Sequence, residues 1–135
     1  SSPVVAIAAG TKTKDTGSYT PFRNVFYGTS TGKPALDSAA IRALGKTGKA
    51  YAAGTLTLNV PAGTQRVAIA CIATAKGVNK VINETAMNAD VTSTFTQSTV
   101  DVEGAEGYTA QSYKVWVFEP AVPYENAAVL KVTLG

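Results

Sequence analysis

The chain predicts an all-β domain, an antiparallel β-sandwich with one short helix. Three observations carry this. Apolar and polar residues alternate over short runs, most cleanly in Thr55-Leu56-Thr57-Leu58-Asn59-Val60, which is the period of a half-buried strand. Turn residues interrupt the chain at close spacing, so the strands are short and numerous. The composition leans to β-branched residues, with 18 Thr and 15 Val among 135 residues, and these suit a pleated, half-buried surface. A parallel α/β fold needs a helix between most strands, and a single helix signal is visible.

In chain order, Pro3 to Ala8 reads as a first strand and Lys12 to Thr20 as a polar loop. Residues 1–20 are expected to form an extended N-terminal arm of a single domain spanning 1–135. Phe22 to Tyr27 (FRNVFY) reads as a second strand that Gly28 stops. The helix follows over residues 38–44 (SAAIRAL). Asp37 precedes it as an acceptor for the free N–H groups of the first turn, and Gly45 is placed to end it. Ile41 and Leu44 lie three apart on one helix face and are expected to pack onto a sheet.

Leu56, Leu58 and Val60 share one face of the next strand, and Pro61-Ala62-Gly63 turns the chain. Arg66 to Ala73 (RVAIACIA) is apolar on both faces and reads as a central strand, with small residues where another layer approaches. Val78 to Ile82 is a weaker strand, and Asn83 to Asp90 a loop or helical turn. Val91–Phe95 and Ser98–Val102 are strand candidates broken near Gln97. In Tyr113 to Phe118, the strongest strand, Tyr113, Val115 and Val117 oppose Lys114, Trp116 and Phe118. Pro120 to Pro123 forces an extended crossing, and Ala128 to Leu134 closes the chain with Leu130, Val132 and Leu134 alternating. Eight or nine short strands and one helix point to a sandwich of immunoglobulin-like kind.

Composition excludes several chemistries. With no histidine and one cysteine, the chain has no Ser-His-Asp triad, Cys-His dyad, internal disulfide or Cys-based zinc site. No apolar run approaches the ~20 residues that span a bilayer, so no membrane contact is expected. Pro3 to Ala9 is too short for a secretory core and lacks a basic stretch before it. A chain of this length buries roughly two-thirds of its unfolded surface, enough for a core without staples. The net charge of +3 comes without a dense Lys/Arg stripe, so no nucleic acid is expected as a partner.

Several motifs have a functional and a structural reading. Gly45-Lys46-Thr47 resembles the end of a phosphate-binding loop, but Ala40 stands where that loop needs Gly, and this Gly closes a helix. Ser30 and Lys33 have Ser-x-x-Lys spacing, yet Gly32 and Pro34 flank the lysine and favour a polar turn. The acidic group of Asp101, Glu103 and Glu106, with Glu84, Asn88 and Asp90 upstream, offers oxygen ligands, but without the EF-hand loop spacing. Cys71 lies in the most apolar strand and reads as a buried small hydrophobe. Tyr108 reads as a corner tyrosine. Trp116 and Tyr124 belong to a late aromatic cluster; for Trp116 the alternatives are core packing and a subunit interface. No catalytic residue, cofactor or metal site is expected.

Charge is unevenly divided. Residues 1–83 carry +8 and residues 84–135 carry −5. The candidate interface comprises Lys33, Arg42, Lys46 and Lys49 around the helix, Asp101, Glu103 and Glu106 in the acidic turn, and the aromatics Trp116 and Tyr124. If the two groups fold onto different sides, the domain is dipolar and suited to head-to-tail docking. If the strands interleave, the charges meet within one molecule.

Longer phrases support a family resemblance. NVFYG (Asn24 to Gly28), SAAIRAL (Ser38 to Leu44), GTLTLNVPAG (Gly54 to Gly63) with RVAIA (Arg66 to Ala70), VEGAEGYTAQSYKVWVFEPAVPY (Val102 to Tyr124) and the terminal KVTLG resemble small β-rich structural domains of tailed-bacteriophage virion proteins, among tail, neck or head-accessory components. The resemblance implies a virion location, a non-enzymatic assembly role, and contacts with copies of itself and other virion proteins or a host cell surface. It transfers no functional residues. The alternative is a carbohydrate-binding or adhesin-like module of a bacterial surface or phage.

Overall fold

A computed structural model describes residues 25–50, 54–106 and 109–135, with the backbone alone at Thr47 and Lys49. The expected first strand, the polar loop at 12–20, the N-terminal arm and Tyr108 lie outside the described residues. The elements run β1 (Val25–Ser30), α1 (Ser38–Thr47), β2 (Lys49–Ala50), β3 (Gly54–Val60), β4 (Arg66–Ile72), β5 (Val78–Asn83), β6 (Ala89–Asp90), β7 (Thr96–Val102), β8 (Gln111–Phe118) and β9 (Ala128–Leu134).

The strands form two antiparallel sheets, ordered β2-β1-β4-β8-β7 and β3-β9-β5-β6. The sandwich read from the alternation is therefore the observed architecture. Leu56, Leu58 and Val60 of β3 meet Leu130 and Val132 of β9 and Val67, Ile69 and Cys71 of β4 in the core between the sheets. Helix α1 covers the outer face of the five-stranded sheet. There Ile41 is fully buried against Phe26, Ala70, Tyr113 and Val115. Phe26 and Tyr113 stack at 6.4 Å. Both faces of β4 and β8 are thus covered, which explains why these two strands read as apolar on both sides.

Four local expectations are corrected. Gly28 does not stop β1; it pairs with Ala68 inside the ladder, because β4 satisfies its backbone groups. Gly45 does not end α1. The helix continues to Thr47, and a Cβ at Gly45 would lie 3.4 Å from three atoms of the Phe26 ring, so glycine serves close approach there. Gly48 ends the helix in extended backbone, its N–H donating to Leu44 O at 2.9 Å. Residues Thr92–Thr94 form a 3-10 turn instead of a strand. Asp90 Oδ1 accepts from the Thr92 amide at 3.0 Å and its hydroxyl at 2.6 Å, and Thr94 Oγ1 donates to Val91 O at 2.6 Å. These local bonds compete with a ladder and override the β propensity of Val and Thr. Gln97 is no break, but lies within β7 opposite Trp116.

The expected N-cap is present: Asp37 Oδ1 accepts from the Ala40 amide at 3.0 Å.

Candidate functional site

The helix and the acidic turn meet. Ser38, in the first turn of α1, donates through Oγ to Asp101 O at 3.3 Å and accepts from the Glu103 amide at 2.6 Å. One turn on, Arg42 Nη1 donates to Glu103 O at 3.2 Å. Asp101 Oδ1 accepts from Ser112 Oγ at 2.6 Å on the neighbouring strand. Arg42, Asp101 and Glu103 therefore lie side by side within one molecule. α1 crosses the outer face to the end of β7, so Arg42 reaches the main chain of the acidic turn, while the Asp101 carboxylate is held by Ser112. Lys33, Lys46 and Glu106 are exposed and solvated, and the Lys49 side chain is not described.

Trp116 is corrected as an interface residue. It is 8 % exposed and faces the core between the sheets. Gly77 comes so close that a Cβ there would sit 2.2 Å from Trp116 Cη2. Cys71 lies beside this contact, fully buried, and burial pushes its thiol up to about 11, partly offset by Lys114. A thiol held protonated in an apolar core is no nucleophile. Ser30 Oγ donates to Gly32 O at 2.7 Å, which is a turn, not the first turn of a helix that aims a lysine at a serine. Gly45-Lys46-Thr47 lies within α1, at its end and not at its start. Among the described residues, no group of three or more His, Cys, Asp or Glu side chains gathers to hold a metal.

Tyr124 remains at the surface, half-buried. Its amide donates to Thr64 O at 3.0 Å, and its carbonyl accepts from the Gly63 amide at 2.7 Å. These two bonds strap the segment after β8 to the turn after β3. The ring meets Phe118 edge-on at 6.2 Å, and Phe118 packs against Phe95 at 5.6 Å. Burial raises the Tyr124 hydroxyl above its ordinary value. Tyr124 lines a groove of about 340 Å³ with Val91, Phe118, Pro120, Val122 and Pro123, and Asn83, Thr94 and Glu125 supply the polar groups. Val122 is 72 % exposed. A smaller cavity of about 210 Å³ lies between α1 and the sheet, where Leu36, Ala40, Ala43 and Leu44 face Gly28 and Ala68.

No family model, curated protein or solved structure matches the chain. The chemistry of the site therefore rests on these residues alone. What the arrangement offers is contact: an apolar groove with a few polar groups, the general form of a binding surface.

The sequence reading missed Val122 and Phe118 as groove residues, and also the Arg66–Glu119 pair. Arg66 Nε and Nη2 both lie 2.7 Å from Glu119 Oε2, and Nη1 reaches Pro34 O. The pair ties the loop after β1 to the end of β8. Its members are 53 residues apart, and no local pattern joins them. For Val122 a signal existed: a large apolar residue between two prolines in a segment read as an extended crossing.

Proposed function

We propose that the chain is a non-enzymatic structural domain of a bacteriophage particle that associates with copies of itself and docks on other virion proteins. The observation that supports this best is the groove around Tyr124, where apolar side chains including the exposed Val122 form a concave surface. The phrase resemblance to virion domains points the same way. The immunoglobulin-like reading belongs to this proposal; consecutive strands such as β3 and β4, or β8 and β9, cross between two antiparallel sheets. Because Arg42 and the acidic turn are neighbours, association is not expected to depend on a molecular dipole. Light scattering over a concentration series is expected to show reversible association that persists from low to high salt. A strict monomer at every concentration refutes the reading.

The second reading is a carbohydrate-binding module, and it draws on the same groove. The Tyr124 ring, the Asn83 amide and the Glu125 carboxylate combine an apolar face with hydrogen-bonding groups. A glycan array separates the two: signal that Tyr124→Ala abolishes supports the module. Trp116→Ala is unsuitable for this test, since it empties the core.

A further inference from the structure

Among the described residues, β7 ends the five-stranded sheet, with β8 on one side and no strand on the other. Its seven residues, Thr-Gln-Ser-Thr-Val-Asp-Val, include no Lys, Arg or Pro, and Thr96, Gln97, Ser98 and Thr99 are exposed. Long edges are ordinarily blunted by charge, proline or bulges, because unpaired N–H and C=O groups template another strand. Here Asp101 is the sole charge.

The direction of the free main-chain groups follows from the helix contact. Ser38 bonds Asp101 O and the Glu103 amide, so these groups point away from β8. Main-chain direction alternates along a strand, so the N–H and C=O of Gln97 and Thr99 point the same way. They have no hydrogen-bond partner among the described residues. Toward its C-terminal end the edge is closed by Ser38. Toward its N-terminal end the 3-10 turn closes it, where the Phe95 amide donates to Thr92 O. The open stretch is therefore centred on Ser98, flanked symmetrically by Gln97 and Thr99.

We infer that this stretch pairs with the same stretch of a second copy, antiparallel, about a two-fold axis at Ser98. The inference rests on the self-association proposed above and names its surface. In this register Gln97 lies opposite the partner copy's Thr99, and each such pair exchanges two main-chain hydrogen bonds, so four form and only free groups are used. Ser98 faces its own copy across the axis. The side chains brought together are short and uncharged. The two Asp101 carboxylates lie beyond opposite ends of the paired stretch, so nothing repels an identical strand. A contact this short falls below the ~1,000 Å² of a stable interface, which makes it a weak, additive contact suited to a multi-copy assembly.

The test is sedimentation equilibrium on the full chain. Ser98→Lys and Ser98→Glu each place like charges directly opposite at the axis, and each is expected to weaken dimerisation about fivefold. An equimolar mixture of the two variants is expected to restore it, because Lys then faces Glu. Thr99→Pro removes one outward N–H without touching the β7–β8 ladder and is expected to weaken dimerisation while the Trp116 emission stays native. If Ser98→Lys dimerises like the wild type, or the mixture associates no better than either variant alone, the edge is not the contact and the inference falls, while self-association through another surface stands. A wild type that is monomeric throughout removes both.

Discussion

Replacing Gly77 with alanine adds one methyl group where two constraints meet. Gly77 has φ +84°, and its Cβ would lie 2.2 Å from Trp116 Cη2, 2.7 Å from Cζ3 and 3.0 Å from Cys71 Sγ. An L-residue in the left-handed region costs roughly 1–2 kcal/mol. Forcing extra volume into a packed core costs roughly 1–3 kcal/mol more. The indole is 8 % exposed within the core, so it has nowhere to swing. Together the two effects are expected to cost about 2–5 kcal/mol, a large share of the roughly 5–15 kcal/mol by which domains are stable. Gly63 supplies the control. Its φ is +86°, and nothing lies within 4 Å of its Cβ position, so Gly63→Ala carries the backbone cost alone. The loss of unfolded-state freedom is the same in both variants and cancels. Urea unfolding followed by the fluorescence of the single Trp gives both midpoints. Gly77→Ala is expected to exceed Gly63→Ala by about 1–3 kcal/mol at equal denaturant slope, with a shifted native emission. Equal losses in the two variants, or an unchanged Trp signal, would refute the claim that the indole is clamped against this turn.

Asp37→Ala removes the acceptor at the start of α1 and is expected to cost about 1 kcal/mol, measured by chemical denaturation, with Asp37→Asn close to wild type. Arg66→Ala leaves Glu119 without its ion pair and Pro34 O without its donor. Because Glu119 is 36 % exposed, the expected loss is about 1–2 kcal/mol, and Arg66→Lys should not restore it, since a single ammonium cannot reproduce the fork. Cys71 should resist thiol reagents at pH 8 in the native protein and react fully in urea. Its thiol is pushed from 9.0 to about 11 by burial. The folded state therefore holds a proton that the unfolded chain releases, and stability is lost as pH rises through this window. Cys71→Ala should abolish that alkaline component.

The strands were legible wherever one face or both faces were apolar. The β3 and β9 alternations and the doubly apolar β4 appear in the structure as read, because side-chain direction along a strand is a local property with period two. The N-cap at Asp37 was legible for the same reason. Legibility failed where local and distant preferences compete. Val91-Thr92-Ser93-Thr94-Phe95 has the β-branched texture of a strand, yet the Asp90 and Thr94 side chains capture the backbone first. Gly28 and Gly45 look like stops, but one is needed in a ladder and the other against an aromatic ring.

The candidate site follows the same division. Composition alone sets part of the chemistry: with no histidine and one cysteine, a Ser-His-Asp triad, a Cys-His dyad and an internal disulfide lie outside this chain, whatever its shape. The alternation of residues also assigns Trp116 and Tyr113 to opposite faces of β8. Which faces are covered, and by what, depends on contacts between segments dozens of residues apart. The crossing of α1 over the five-stranded sheet buries Tyr113, and the second sheet buries Trp116. The same crossing brings the Arg42 guanidinium to the main-chain carbonyl of Glu103. Among the described residues, the β7 edge is left open around Ser98. A charge count along the chain has no spatial direction; one is acquired when strands distant in sequence become adjacent in a sheet.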